Sequence, residues 1–328
     1  MVKNFFAAVI NVLKRLLCLK DRLPLQAFLE SRVGVVDVGA RGGYHPRWDQ
    51  FGDRLRVHLF EPEKNGYEEL VKIFGKDERV RLYNVALSER DETLSLNVTA
   101  WSPSTTVYEI DHAFLRQTNM GHLFEIQSAA TIEATTLSKT LDEPVDFIKL
   151  DVEGHELAIL KGASEETFDG LIGVESEIAF LPWRKGAPVF GDVDAFLRDK
   201  GFSLCELTRH AYHYRVPTKR LEAHGFVFGG DVLYFRTPTL VVENIESGKW
   251  DRSKWEIATG LYLAYGNFEF AHKLLTLAEE RGYIISNDPK AKLIRKMIAA
   301  RSGFGRPVPF KVIKALREFL VRNPELDY

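Results

Sequence analysis

Residues 33–48 read VGVVDVGARGGYHPRW. A short apolar run reaches an acid, Asp37, and breaks at once into glycines. An apolar strand running into a Gly-rich turn is a common cradle for a nucleotide-type group. A dinucleotide site needs Gly-x-Gly-x-x-Gly. Gly39-Ala40-Arg41-Gly42-Gly43 does not fit that spacing, and no Gly-Lys-Ser/Thr of a P-loop is present. Asp37, just before the first glycine, would repel a pyrophosphate and attract a cation. A nucleoside-like ligand with positive charge and no phosphate suits both the glycines and the acid. S-adenosylmethionine, with its ammonium and sulfonium, is such a ligand.

Outward from this turn, strands and helices alternate. RVHLFEPE (56–63), RVRLYNVALS (79–88), VDFIKLDVEG (145–154) and LIGVESEI (171–178) read as strands, with ETLSLNVT (92–99) as a hairpin partner of the third. KNGYEELVKIF, HELAILKGA and FGDVDAFLRDKG read as helices, the last closed by Gly201. FSLCEL and GDVLYFR look like a closing strand pair. The alternation predicts an α/β sheet covered on both faces. After about Thr239 the pattern turns helical, with a break at Gly266-Asn267 and two further helices opened by prolines. One hairpin of tetratricopeptide type is too few for a repeat array. The expected organisation is an N-terminal amphipathic helix (1–30), a cofactor-binding domain (31–238) and a C-terminal helical accessory region (239–328).

The 328 residues are 45% hydrophobic, enough for a full core. A net charge of −2 gives no global pull toward nucleic acid. Two distant cysteines, Cys18 and Cys205, exclude a disulfide framework and make a reducing, cytoplasmic compartment the default. No apolar run is long enough to cross a membrane. The first 20 residues form a basic amphipathic pattern, which suits packing on the body or on a second copy in a homodimer. It also suits peripheral contact with the inner face of a membrane.

Glu61 ends the second strand roughly 20 residues past the glycines, the offset at which an acid accepts a ribose diol. Nicotinamide and methyl-donor enzymes share that feature. Asn84 and the small Ala86, at the end of the third strand, would border an adenine ring. FIKLDVEGHELAILKGA (147–163) delivers Asp151, Glu153, His155 and Glu156 into one turn. Such a cluster after a buried strand is costly unless solvated or used.

On VVDVGARGGY, LFEPE, NVALS, TTL (135–137), DFIKLDVEGHELAILKGA and VESE (174–177), the chain resembles the FkbM-type methyltransferases from about Val33 to Arg236. These are class I S-adenosylmethionine-dependent enzymes, typically O-methyltransferases acting on hydroxyls of sugars and secondary metabolites. The resemblance implies a Rossmann-like, seven-stranded, mostly parallel sheet whose last strand is antiparallel. It implies that Asp37, Gly39, Ala40 and Gly43 line the methionine end of the cofactor, with Arg41 in the same turn. Glu61 would hold the ribose, Asn84 and Ala86 flank the adenine, and Asp151 lie near the methyl group. Arg41 stands where the family pattern has Asn.

Methyl transfer to a hydroxyl requires alignment and removal of a proton. His155 is the first candidate base by its intrinsic pKa, with Asp151 and Glu153 as alternatives. Asp151, Glu153 and Glu175 are the set that would bind a divalent cation if one took part. The expected acceptor is a small molecule or glycan, held by loops 101–130 and 179–230 with their aromatics, and RHAYHYR is expected as a loop above it. A reading of another class is a catalytically weak cofactor-binding module in a surface-glycan or membrane assembly.

Overall fold

The computed structural model describes residues 24–101, 104–119, 121–214 and 225–302. The expected N-terminal amphipathic helix and the last C-terminal helix lie outside them. The main sheet has seven strands: β1 (Val33–Val38), β2 (Leu55–Phe60), β3 (Val80–Tyr83), β4 (Phe147–Leu150), β5 (Gly173–Ala179), β6 (Ser203–Tyr212) and β7 (Phe226–Phe235). Their order is β6-β7-β5-β4-β1-β2-β3. All neighbours are parallel except β7, which is antiparallel to both β5 and β6.

Parallel strands buried on both faces read as near-continuous apolar runs, and the sheet separates two cores accordingly. Val35, Val57, Phe147 and Leu233 face one core. Val36, Ile148, Val174 and Tyr234 face the other, under the helices Glu156–Lys161 and Phe190–Asp199. The first core is roofed by the C-terminal helices α1 (Pro238–Glu246), α2 (Lys254–Ala264) and α3 (Phe268–Glu280). Trp255, Ala258, Leu261 and Tyr262 of α2 join Val35 and Phe147 in a single cluster. A helix apolar on all sides must be buried on all sides, and α2 lies between the sheet and α3. Polar clips fix it: Tyr262 Oη donates to the Arg236 carbonyl at 2.6 Å, and Lys254 pairs with Asp146 at the foot of β4. The helical pattern expected after about Thr239, with its break at Gly266-Asn267, is present as α1, α2 and α3, and the first of the two helices opened by prolines is Pro289–Ser302.

Three expectations are corrected. Glu92–Thr99 is not the hairpin partner of the third strand; it pairs antiparallel with Ile126–Thr135, which in turn pairs parallel with Ala86–Leu87. The reason is that 79–88 is no single strand: it splits at Asn84-Val85, and its second part leaves the main sheet. Ile126–Thr135, mostly exposed and without a buried stripe, carries little strand signal of its own. Finally, His210 and Tyr212 lie on β6 rather than in a loop. Among the described residues, no helix is long and apolar enough to cross a membrane.

Because α2 shares its core with the sheet, Leu261→Ala is expected to cost about 3 kcal/mol. Urea unfolding followed by tryptophan fluorescence and by far-ultraviolet dichroism should give one coincident transition. An earlier, separate loss of helix would show that the C-terminal core stands apart from the sheet.

Candidate active site

The site is built at the carboxyl edge of β1, β4 and β5. Asp37 pairs in register with Lys149, and Lys149 with Glu175. Residues in register on neighbouring parallel strands share a face, so three ionisable side chains stand in a row. Lys149 Nζ lies 3.4 Å from Asp37 and 3.1 Å from Asp151. Asp37 is only 2% exposed. Burial pushes its carboxyl up to about 6, against the pull of Lys149 and with the push of Asp151 and Glu175. Burial opposes the charge on Lys149, yet Asp151, Asp37 and Glu175 together hold its ammonium above the ordinary lysine value. The Glu175 carboxylate is held from the opposite layer: Tyr265 Oη, just past α2, donates to it at 2.7 Å. Tyr265 in turn accepts from Trp48 Nε1 at 3.2 Å, and the Arg47 guanidinium lies 4.4 Å from its ring centroid.

The glycine turn closes over this row. Gly39 has φ +80°, and a Cβ there would come within 2.0 Å of the Asp151 carbonyl oxygen. Only glycine permits both the left-handed backbone and that approach. The amides of Gly39 and Ala40 both donate to the Phe60 carbonyl at 3.1 Å. The turn thus welds the ends of β1, β2 and β4 into one rim.

Beyond the rim opens a cavity of about 330 Å³, within the usual range of small-molecule sites. Gly39, Arg41, Glu61, Ala86, Asp151, Glu153 and His155 reach its wall, together with apolar Leu94, Leu96 and Ile159. Glu61 is 5% exposed, and burial raises its carboxyl. It accepts from the Glu63 amide at 2.9 Å and lies against Gly66, where a Cβ would sit 2.9 Å from its carboxyl carbon. Glu63 caps the following helix through the amides of Asn65 and Gly66. Arg41 has a partner: its guanidinium is 3.7 Å from Glu63 across the rim. The pair is half-exposed and energetically slight, but it neutralises the one basic side chain of that wall.

Asp37, Ala40, Gly43 and Asn84 stand behind the wall rather than on it. Asp37 is turned to Lys149. Ala40 is buried, and Gly43 packs against Phe74. Asn84 spends its amide on the carbonyls of Glu61 and Pro62, at 2.9 and 3.2 Å. They shape the cavity by holding the backbone that lines it.

The acid and histidine cluster is divided among separate partners. Glu153 has φ +56° and gives its carboxylate to the buried Arg184. Its carbonyl accepts from Thr106 Oγ1 at 2.7 Å. Glu156, buried and with its carboxyl up to about 7 by desolvation, accepts from the amides of Val152 and Gly154. His155 has both ring nitrogens engaged, Nε2 with Ser88 Oγ at 3.0 Å and Nδ1 with Tyr108 Oη at 3.3 Å. Ser88 donates onward to Glu92 at 2.5 Å. Burial lowers the His155 pKa, which keeps the ring neutral. Asp151, Glu153 and Glu175 are not gathered into one group: Lys149, Arg184 and Tyr265 take one each. Among the described residues, no three His, Cys, Asp or Glu side chains are placed to hold a metal.

Lys149, Glu177, Arg184 and Tyr265 escaped the sequence reading. Lys149 had a signal, a lone charge inside the apolar strand FIKL. Tyr265 had none, since a tyrosine in an apolar helix reads as core.

A seven-stranded sheet of this order, with a glycine turn and an acid-lined cavity at its carboxyl edge, defines a class I methyltransferase fold. The Methyltransferase FkbM domain matches residues 37–204, and the chain belongs to that methyltransferase family. No functionally curated protein matches it. Among solved structures, Methyltransferase FkbM from Methylobacillus flagellatus KT aligns at 16% identity and a TM-score of 0.37, covering 66% of this chain. This chain spans about half, 48%, of that protein's length. An rRNA methylase from Streptococcus thermophilus aligns at 12% identity and a TM-score of 0.31, over 65% of this chain and 92% of its own. Magnesium protoporphyrin IX methyltransferase from Synechocystis PCC 6803, with bound SAM, aligns at 12% identity and a TM-score of 0.32, over 70% and 79%.

Lys149→Met leaves Asp37 buried without its counter-charge, at an expected cost of about 3–5 kcal/mol at pH 7. Asp37 has a raised folded pKa. Its contribution to stability is therefore complete below its unfolded value near 4 and lost as pH rises through about 6. Without Lys149 the folded pKa climbs further, so the loss should shrink at pH 5, where the carboxyl enters the fold protonated. Urea titrations at the two pH values measure this; an equal loss at both would show that Asp37 is not the group Lys149 neutralises.

Proposed function

We propose that the chain transfers a methyl group from S-adenosylmethionine to a hydroxyl oxygen, with a sugar or glycan as acceptor. One observation carries the cofactor: a buried carboxylate, Glu61, stands in the wall of a cavity whose other charged groups are acids and an Arg41 already matched by Glu63. Such a wall accepts hydrogen bonds from a ribose diol and favours a cationic end over a phosphate. Leu94, Leu96 and Ile159 offer the apolar surface a purine ring needs. Charge and lining fit this donor.

When bound, S-adenosylmethionine supplies a methyl group on positively charged sulfur. Transfer forms an O–CH3 bond, breaks the S–CH3 bond with its electron pair left on sulfur, and frees the hydroxyl proton. Glu61 anchors the nucleoside end. The backbone of Gly39 gives close approach at the rim, where Asp151 presents negative charge to the cationic end. Lys149 keeps that edge from accumulating uncompensated charge. His155, neutral and held at both nitrogens, orients the wall.

The hydroxyl acceptor follows from the family resemblance and from the aromatic residues Trp101, Trp183 and Tyr212, which gather beside Glu153. An edge rich in acids is a poor bed for phosphates.

Calorimetry with S-adenosylmethionine should show binding, weakened about 10- to 100-fold in Glu61→Ala, the worth of a charged hydrogen-bond pair to the diol. Labelled donor should pass its methyl to members of a panel of methyl glycosides. Absence of donor binding would overturn the whole reading, and binding without transfer to any glycoside would overturn the acceptor.

A further inference from the structure

Next to the donor cavity, and sharing Glu153 with it, lies a second cavity of about 20 Å³. Its wall comes from separate parts of the chain: Ser104 and Trp101 from the loop after Glu92–Thr99, Glu177 from β5, Trp183 and Arg184, and His210 from β6. A space of this size admits one water-sized group. Four of these wall residues carry buried polar atoms with no hydrogen-bond partner among the described residues: Ser104 Oγ, Trp183 Nε1, Glu177 Oε2, and Nε of Arg184, whose guanidinium is otherwise paired with Glu153. Ser104 is 0% and Trp183 3% exposed. Orphaned buried polar atoms are rare and destabilising. Four on the residues around one small space mark a place prepared for a polar group from elsewhere. The set has donors in the indole N–H and the Arg184 Nε–H, an acceptor in the carboxylate and a hydroxyl able to act as either. A hydroxyl, which both donates and accepts, satisfies it.

Among the described residues, Glu177 is also the acid that partnership leaves over at this edge. Asp37 and Asp151 face Lys149, Glu153 pairs with Arg184, and Glu175 accepts from Tyr265. Asp231 lies 3.3 Å from His210, and Glu156 caps the 152–154 turn. The β4–β5 register ends at Leu150 and Ser176, and the next residue of each strand follows from there, with Asp151 close enough for its charge to act on Glu177. The orphan carboxylate therefore stands beside the edge of the donor cavity.

We propose that this small cavity is the pocket for the reacting hydroxyl of the acceptor and that Glu177 is the general base. The inference rests on the reading that the methyl group goes to a hydroxyl. As the O–CH3 bond forms and the S–CH3 bond breaks, its electron pair stays on sulfur. The O–H electron pair returns to the acceptor oxygen, and the proton passes to the Glu177 carboxylate. Trp183 Nε1 donates to that oxygen and Ser104 fixes its direction. The groups facing Glu177 are Lys149 and Asp151 from β4 and its end, Glu156 from the helix that follows, and Asp231 from β7. Arg184 and His210 complete the shared wall. Burial, then the charges of Asp151, Glu156 and Asp231, raise its carboxyl well above the ordinary value, while Lys149 works against them. The carboxyl therefore takes up the substrate proton only after losing its own, so the rate should rise with pH, and the carboxylate then formed is basic enough for a weakly acidic hydroxyl.

The test uses the full chain with labelled S-adenosylmethionine and the methyl glycoside panel. In Glu177→Gln we expect donor affinity within twofold of wild type and kcat at least 100-fold lower, with the rise of rate with pH lost. In Ser104→Ala we expect mainly a higher KM for the glycoside. Thermal melts check that both variants are folded, and Glu177→Asp should recover part of the rate if Gln proves unstable. Transfer by Glu177→Gln within threefold of wild type would overturn the proposal and leave a water-filled structural cavity. If wild type binds the donor but methylates no glycoside, the hydroxyl reading falls by itself. The pocket is then decided by equilibrium binding of the same panel, read by tryptophan fluorescence. A response in wild type that disappears in Ser104→Ala and Glu177→Gln upholds it, and no response in wild type overturns it.

Discussion

The site depends on one buried cation. Parallel strands carry their ends to a single edge, and here three of those ends bring Asp37, Asp151 and Glu175 within reach of one another. Packed together in a low-dielectric interior, such acids would repel and protonate. Lys149, on the central strand, is the counter-charge that lets them coexist. Its position follows from register: it is the residue of β4 that falls between Asp37 on one side and Glu175 on the other. The acids behind and along the rim of the cavity meet at this charge.

Around it the remaining polar groups are divided pairwise, and that division gives the site its chemistry. A cluster of acids and a histidine in six residues looks in sequence like a set of interchangeable bases or metal ligands. Folding makes them unlike. Arg184 removes Glu153 from competition, the Val152 and Gly154 amides occupy Glu156, and Ser88 with Tyr108 occupies His155, while Glu175 on the next strand goes to Tyr265. A group with all its hydrogen-bonding positions filled positions others. A group left unfilled is available to a substrate.

The C-terminal helices take part in this arrangement. Their inner helix is buried all round because the sheet packs on one side of it and its neighbouring helix on the other, within one core. Through Tyr265 the same layer reaches the strand edge, where its hydroxyl holds Glu175.

Much was legible in the sequence. VVDV, FIKL and LIGV announce buried parallel strands because strands covered on both faces are mostly apolar, and Gly39 announces a backbone that no other residue could follow. Glu61 was readable from its distance to the glycines. The fate of 92–99 was not, since its partner strand 126–135 is exposed and lacks a periodic apolar stripe. Nor was the place of Asp37, which charge alone aimed at the ligand and the fold turned to Lys149. The sequence by itself determined the sheet, the glycine turn, the family and the supply of acids at one edge, because those rest on local periodicity and on short-range spacing. Only the tertiary structure decided which acid is paired and which is left over. Pairing depends on side chains such as Arg184, Tyr265 and Trp183, brought from distant positions by packing and invisible to any pattern along the chain.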